Sequence, residues 1–159
     1  MNIGIIIQAR TSSTRLPKKV LLKLPYDSNF TVLDQVIMRC KFSKLSQKVI
    51  VATTNDKEDD EIVKIAKKNK VLYFRGSKED VLSRYYYAAK ENKLDAIVRI
   101  TSDCPFIDYK IVDELIKFFI KNKCDYSSNT IKRTYPHGLD CEVFSFSAIE
   151  KSFNECKDI

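Results

Sequence analysis

Three apolar runs without alternation constrain this chain most: IGIII at 3–7, VIVAT at 49–53 and DAIVRI at 95–100. A strand with one wet face alternates apolar and polar residues. These runs do not, so they read as parallel strands buried on both faces. Helical patterns with start signals lie between them. Thr31 and Asp34 have capping-box spacing ahead of VIMRC. Asp56 and Asp59 precede EIVKIAKK, where Ile62, Ile65 and Ala66 share a face. Ser77 and Asp80 open VLSRYYYAAKE, and Asp108 opens a helix with the stripe Ile111, Leu115, Ile116 and Phe119. Ser147 and Glu150 mark a last helix start. Shorter strands are expected at 71–74 and 125–128. Strand and helix in alternation imply an α/β fold, a mostly parallel sheet with helices on both faces. With 159 residues and no linker-like or repetitive stretch, one domain over 1–159 is the simplest organisation.

In open parallel sheets, ligands sit outside the carboxyl ends of the strands. The segment after the first strand, QARTSSTRLPKK at 8–19, carries four cations and four hydroxylic residues. Such a loop suits a polyphosphate, through backbone N–H groups, hydroxyls and Arg/Lys side chains. It has neither the GxxxxGK[ST] nor the GxGxxG pattern. Net charge is +7, and no acidic residue precedes Asp27. A nucleotide fits that asymmetry. Nucleic acid fits it less well, because the cations gather in one strand-end loop instead of along a helix or among aromatics.

Asp103, in ITSDCPFID at 100–108, lies just past an apolar strand. It can hold Mg²⁺ shared with phosphates or cap a turn. Asp108 is better read as a helix cap. Arg84 lies four residues after Asp80, so an ion pair within the helix is the plain reading. Tyr85, Tyr86 and Tyr87 cannot share one helical face. In YPHGLDCEVFSF at 135–146, Asp140 and Glu142 alternate with apolar residues like a strand, which would point both carboxylates to one face. The only histidine, His137, precedes Gly138.

The five cysteines, an odd number without CxxC spacing, favour reduced thiols and a cytoplasmic location over a disulfide framework or structural zinc. No apolar run approaches the roughly 20 residues of a membrane span, and the N-terminus lacks the basic lead of a secretory signal.

Five segments in this order resemble the cytidylyltransferase family that activates acidic sugars, including acylneuraminate and keto-deoxy-octulosonate cytidylyltransferases, and its spore-coat polysaccharide branch above all. They are IIIQARTSSTRLPKKVL, VIVATTNDKEDDEI, VLYFRGSKEDVLSRYYYAAK, IVRITSDCPFID and GLDCEVFSF. The resemblance implies a nucleotide-diphospho-sugar transferase fold, a Rossmann-like α/β/α sandwich. It implies transfer of CMP from CTP to a sugar, with Mg²⁺ and release of pyrophosphate. By motif position, Gln8, Ala9 and Arg10 would line the nucleotide, and Ser12, Ser13, Arg15 and Lys19 would hold the triphosphate. Thr53 and Thr54 would flank the pocket, with Arg75, Gly76 and Asp80 near base or ribose. Asp103 would ligate the metal, and Arg10, Arg15, Lys19 and Asp103 would carry catalysis. His137, Gly138, Asp140 and Glu142 would belong to the sugar side, with Asp140 or His137 as candidate base.

Three departures accompany the resemblance. The family loop usually has glycine where this chain has Ser12 and Lys18, and side chains there would crowd the phosphate. The spore-coat branch continues past the region ending here at Ile159, with a second metal-binding carboxylate. No general base stands out. A nucleotide-binding module without turnover, or a related glycosyltransferase, therefore stays open, although 95–110 lacks a DxD-like motif. Relatives often dimerise through late sheet additions, which leaves a homodimer open as well.

Overall fold

The structure, a computed structural model, describes residues 1–156; residues 157–159 of the expected domain lie outside the described residues. Six strands form one sheet: β1 (Ile3–Gln8), β2 (Lys48–Thr54), β3 (Leu72–Gly76), β4 (Ala96–Thr101), β5 (Tyr126–Ser128) and β6 (Glu142–Ser145). Their order is β3-β2-β1-β4-β6-β5. The first four pair in parallel, with the apolar runs of β1, β2 and β4 inside and the partly exposed β3 at the edge, and β6 runs antiparallel between β4 and β5.

Alternate residues of β1 enter two cores. Ile3, Ile5 and Ile7 pack under α1 (Val32–Cys40), α2 (Asp60–Lys68) and α4 (Tyr109–Asn122). Ile6 packs under α3 (Val81–Glu91) and α5 (Phe146–Glu155). The result is the three-layer α/β/α arrangement expected from the sequence. Thr31 caps α1 in a capping box: the Asp34 N–H donates to Thr31 Oγ1 (3.1 Å) and the Thr31 N–H to Asp34 Oδ2 (2.8 Å). Asp80 and Asp108 cap α3 and α4. The last helix starts ahead of its Ser147/Glu150 signal: Ser145 accepts from the Ala148 N–H, and α5 begins at Phe146.

Three helices end in the same unusual way. Lys70, Lys93 and Lys123 sit at φ 55°, 53° and 50°, the left-handed region normally given to glycine. After α2, the Val71 N–H donates to Ala66 O and the Lys70 N–H to Lys67 O; α3 and α4 end with the same pair of bonds. The last orphan carbonyls are thus satisfied, with lysine accepting the strain that glycine would avoid.

Candidate functional site

The strand order reverses direction between β1 and β4. There Gln8 lies in register with Thr101, each the last residue of its strand. The chain leaving β1 returns to β2 on one side and the chain leaving β4 goes on toward β5 on the other, and a crevice opens above the strand ends. A cavity of about 250 Å³ occupies it, lined by Gln8 at the end of β1, by Arg10, Ser13, Thr14, Arg15, Lys19 and Val20 from the chain that follows, and by Arg99, Thr101, Ser102 and Asp103 from β4 and its exit.

Lys19 donates to the Asp103 carboxylate, both side chains being about one-third exposed. Burial pulls the Asp103 carboxyl upward, but the Lys19 ammonium and the Thr101 hydroxyl together outweigh it, and the group titrates below its ordinary value. Asp103 is therefore ionised at neutral pH. The neighbouring Cys104 thiol is pushed up, chiefly by burial and further by Asp103, which blunts it as a nucleophile.

The loop itself hangs from a carboxylate that the sequence marked only as a helix signal. Asp59 is 2% exposed. It accepts from the Thr11 N–H (2.8 Å) and Thr11 Oγ1 (2.7 Å), and from the hydroxyls of Thr53 (3.2 Å) and Thr54 (2.5 Å). Thr53 and Thr54 are thus buried supports beneath the loop, and neither lines the cavity. Ala9 is likewise core, at 1% exposure. The Thr11 carbonyl in turn accepts from the N–H groups of Ser13 and Lys18, both at 2.9 Å. Lys18 has φ 57°, so the glycine usual at this place answers a left-handed backbone.

Other expected site residues lie apart from this cavity. Ser12 is not part of its lining. Arg75 is committed to the turn after β2, donating to Thr54 O (2.8 Å), Asp56 O (2.7 Å) and Asp60. Gly76 ends β3, where an added Cβ would meet Arg84 Cγ at 2.9 Å. Asp80 serves as the α3 cap. The expected Asp80–Arg84 ion pair does not form. Arg84 is fully buried, and its Nη1 donates to the Ser77 carbonyl at 2.9 Å, because Asp80 already caps the helix with its own carboxylate.

The 135–146 segment departs from expectation too. β6 begins only at Glu142, because the Cys141 N–H turns to the Asn129 side chain. Asp140 precedes the strand and is held by Arg133 (2.6 and 3.2 Å), whereas Glu142 pairs with Arg99 on β4. The two carboxylates therefore have separate partners. His137 is exposed, next to Gly138 at φ 95°. Neither His137, Gly138 nor Asp140 lines the strand-end cavity.

Val20, Arg99, Thr101 and Ser102 line the cavity without having been singled out from the sequence. Arg99 had a signal, as the lone cation inside an apolar strand. Among the described residues, no group of three or more His, Cys, Asp and Glu side chains clusters as a metal site, and no helix is long and apolar enough to cross a membrane.

Comparison with known proteins agrees with this architecture. A cytidylyltransferase from Leptospira borgpetersenii superposes with a TM-score of 0.93 at 43% identity, over 99% of this chain and 66% of that one. An uncharacterized protein of Methanocaldococcus jannaschii is 43% identical over 99% of this chain and 63% of its own length. The spore coat polysaccharide biosynthesis protein SpsF of Bacillus subtilis is 35% identical over 79% of this chain and 53% of its own length. The chain thus spans between one half and two thirds of these relatives. The cytidylyltransferase family matches residues 4–151, and with the sheet order and strand-end crevice described above, the chain belongs to the cytidylyltransferase family.

Proposed function

We propose that this chain transfers CMP from CTP to a hydroxyl of an acidic sugar, releasing pyrophosphate and supplying a nucleotide-sugar for surface polysaccharide synthesis. The observation that carries the reading is the convergence of Arg10, Arg15 and Lys19 with Asp103 in one strand-end cavity. The family match and the spore-coat relative support it.

In this reaction the sugar oxygen bonds to the α-phosphorus, and the bond from that phosphorus to the β-bridging oxygen breaks. Charge moves onto the phosphoryl oxygens and the leaving pyrophosphate. Cations fixed beforehand around those oxygens lower the barrier by electrostatic stabilisation. Arg10, Arg15 and Lys19 suit this role, on a loop anchored by Asp59. Such positioning chemistry needs no covalent nucleophile.

Mg²⁺ fits the donor set. A partly exposed, ionised carboxylate in a cavity of cations suits a hard ion that takes most of its remaining ligands from phosphates and water. Asp103 would hold it, exchanging its Lys19 contact for the metal, and the ion would neutralise phosphate charge. Lys19 would then be free to turn to the triphosphate.

Calorimetric titration with CTP, and with UTP and ATP as controls, tests the reading in Mg²⁺ and in EDTA. CTP binding that weakens in EDTA and in Arg15→Ala and Asp103→Ala supports it, together with pyrophosphate release when sugars are added. A folded chain that does not bind CTP overturns it. Binding without turnover would make the chain a nucleotide-binding module.

A further inference from the structure

Arg84, in the first turn of α3, is the bulkiest fully buried side chain, at 0% exposure. Its stem packs against Gly76, where an added Cβ would meet Arg84 Cγ at 2.9 Å. That glycine ends β3, two strands across from the end of β1. Nη1 donates to the carbonyls of Ser77 (2.9 Å) and Lys78 (3.4 Å), which fixes the guanidinium against the turn between β3 and α3. Nε and Nη2 lie along one edge of the planar group. Both are buried and donate to nothing among the described residues.

The charge is not matched locally. Asp59 and Asp80 favour it from a distance, but their oxygens are committed: Asp59 to Thr11, Thr53 and Thr54, and Asp80 to the Ser83 N–H. The other charged neighbour, Arg10, has the same sign. Burial first, and Arg10 second, pull the Arg84 pKa below its ordinary value, yet a guanidinium stays protonated at neutral pH. A buried charge without a bonded partner is a standing cost in the free protein. A ligand that brings negative charge to Arg10 offsets it. Arg10 is exposed and lines the strand-end cavity, whereas Arg84 does not reach that lining.

We propose that Arg84 is a positioning residue for the triphosphate: a buried cation that turns the Arg10 guanidinium outward into the strand-end cavity and adds its own charge to the field there. The inference rests on the proposed binding of CTP and adds to it a cation that never touches the ligand. Away from water the charge is weakly screened, so it acts farther than an exposed lysine would. Held by two backbone carbonyls, it needs no rearrangement when the phosphates arrive.

The test is calorimetric titration of CMP, CDP and CTP, in Mg²⁺, against wild type, Arg84→Met and Arg84→Gln. Arg84→Met removes charge and donors; Arg84→Gln removes the charge and keeps a donor for the Ser77 carbonyl. Both are expected to weaken CTP binding about tenfold or more, with the loss growing from CMP through CDP to CTP. The salt dependence of CTP affinity should become shallower in both. Arg84→Gln should melt within a few degrees of wild type. A residue that only clamped the turn would lower stability and weaken all three nucleotides alike.

Equal losses for CMP and CTP overturn the inference. So does wild-type CTP affinity in a folded Arg84→Gln chain, which would assign the role to the clamp. If Arg84→Met does not fold, Arg84→Gln decides; if neither folds, Arg84 is structural and the inference falls while the nucleotide site stands. If wild type does not bind CTP, both readings fall.

Discussion

Asp59 holds Thr11 by two hydrogen bonds, one from its N–H (2.8 Å) and one from its hydroxyl (2.7 Å), across 48 residues of chain. The residue that leads into α2 thereby sets the backbone of the loop that lines the strand-end cavity. Asp59→Ala would leave a buried N–H and three hydroxyls without their acceptor. It is expected to cost about 2–4 kcal/mol of stability in urea unfolding and to weaken CTP binding by more than about tenfold. Asp59→Asn, which keeps an acceptor oxygen, should lose less of both. An unchanged CTP affinity in a folded Asp59→Ala chain would show that the loop holds itself.

The same carboxylate predicts an acid limb of stability. Burial raises the Asp59 pKa, but the hydroxyls of Thr54 and Thr11 and the Thr11 N–H outweigh it, and the native group titrates below the ordinary aspartate value. Asp34 behaves alike: burial is outweighed by Asn69, Thr31 and Lys68. Groups depressed in the native state bind protons more readily when the chain is unfolded. Their stabilisation is complete above the unfolded pKa of about 3.9 and disappears as pH falls through the lower native values. The contribution of these groups to stability in chemical unfolding should be flat between about pH 5 and 7 and drop below about pH 4. In Asp59→Asn the drop should shrink.

Lys19 and Asp103 form a partly exposed pair, so their contribution to folding is small, about 0–1 kcal/mol. Lys19→Ala is therefore expected to keep the melting temperature within a few degrees while lowering CTP affinity about tenfold or more. A chain that loses stability and affinity together would mark the pair as structural.

Lysines at left-handed helix ends predict easy stabilisation. At Lys123, φ 50°, glycine would remove strain of about 1–2 kcal/mol and give back about 0.5–1 kcal/mol in unfolded-state entropy. Lys123→Gly should raise the midpoint of thermal unfolding by a few degrees. Lys93→Gly should do the same, and the two effects should add because the sites end different helices.

Much of the fold was legible in the chain. Ile5, Ile6 and Ile7 have no polar alternation, which demands cover on both faces, and Thr31, Asp80 and Asp108 mark helix starts by local chemistry. The loop 8–19 and Asp103 were legible for the same reason: charge and hydroxyls follow directly on buried strands. The fate of Arg84 was not. An i, i+4 partner was available in Asp80, yet the competing cap took that carboxylate and left the guanidinium to a backbone carbonyl. The expected strand through Asp140 and Glu142 failed similarly, since β6 begins only at Glu142 and Arg133 and Arg99 take the two carboxylates separately.

The sequence by itself determined the layers, the parallel strands, the caps and the basic loop, because each depends on neighbours within a few residues. Only the tertiary structure decided which of the candidate residues meet. Gln8 and Thr101 lie far apart in the chain and become neighbours through sheet order; Asp59 reaches Thr11 through the same packing. Local propensity carries no information about such long-range pairings, which depend on how buried strands and helices share one core.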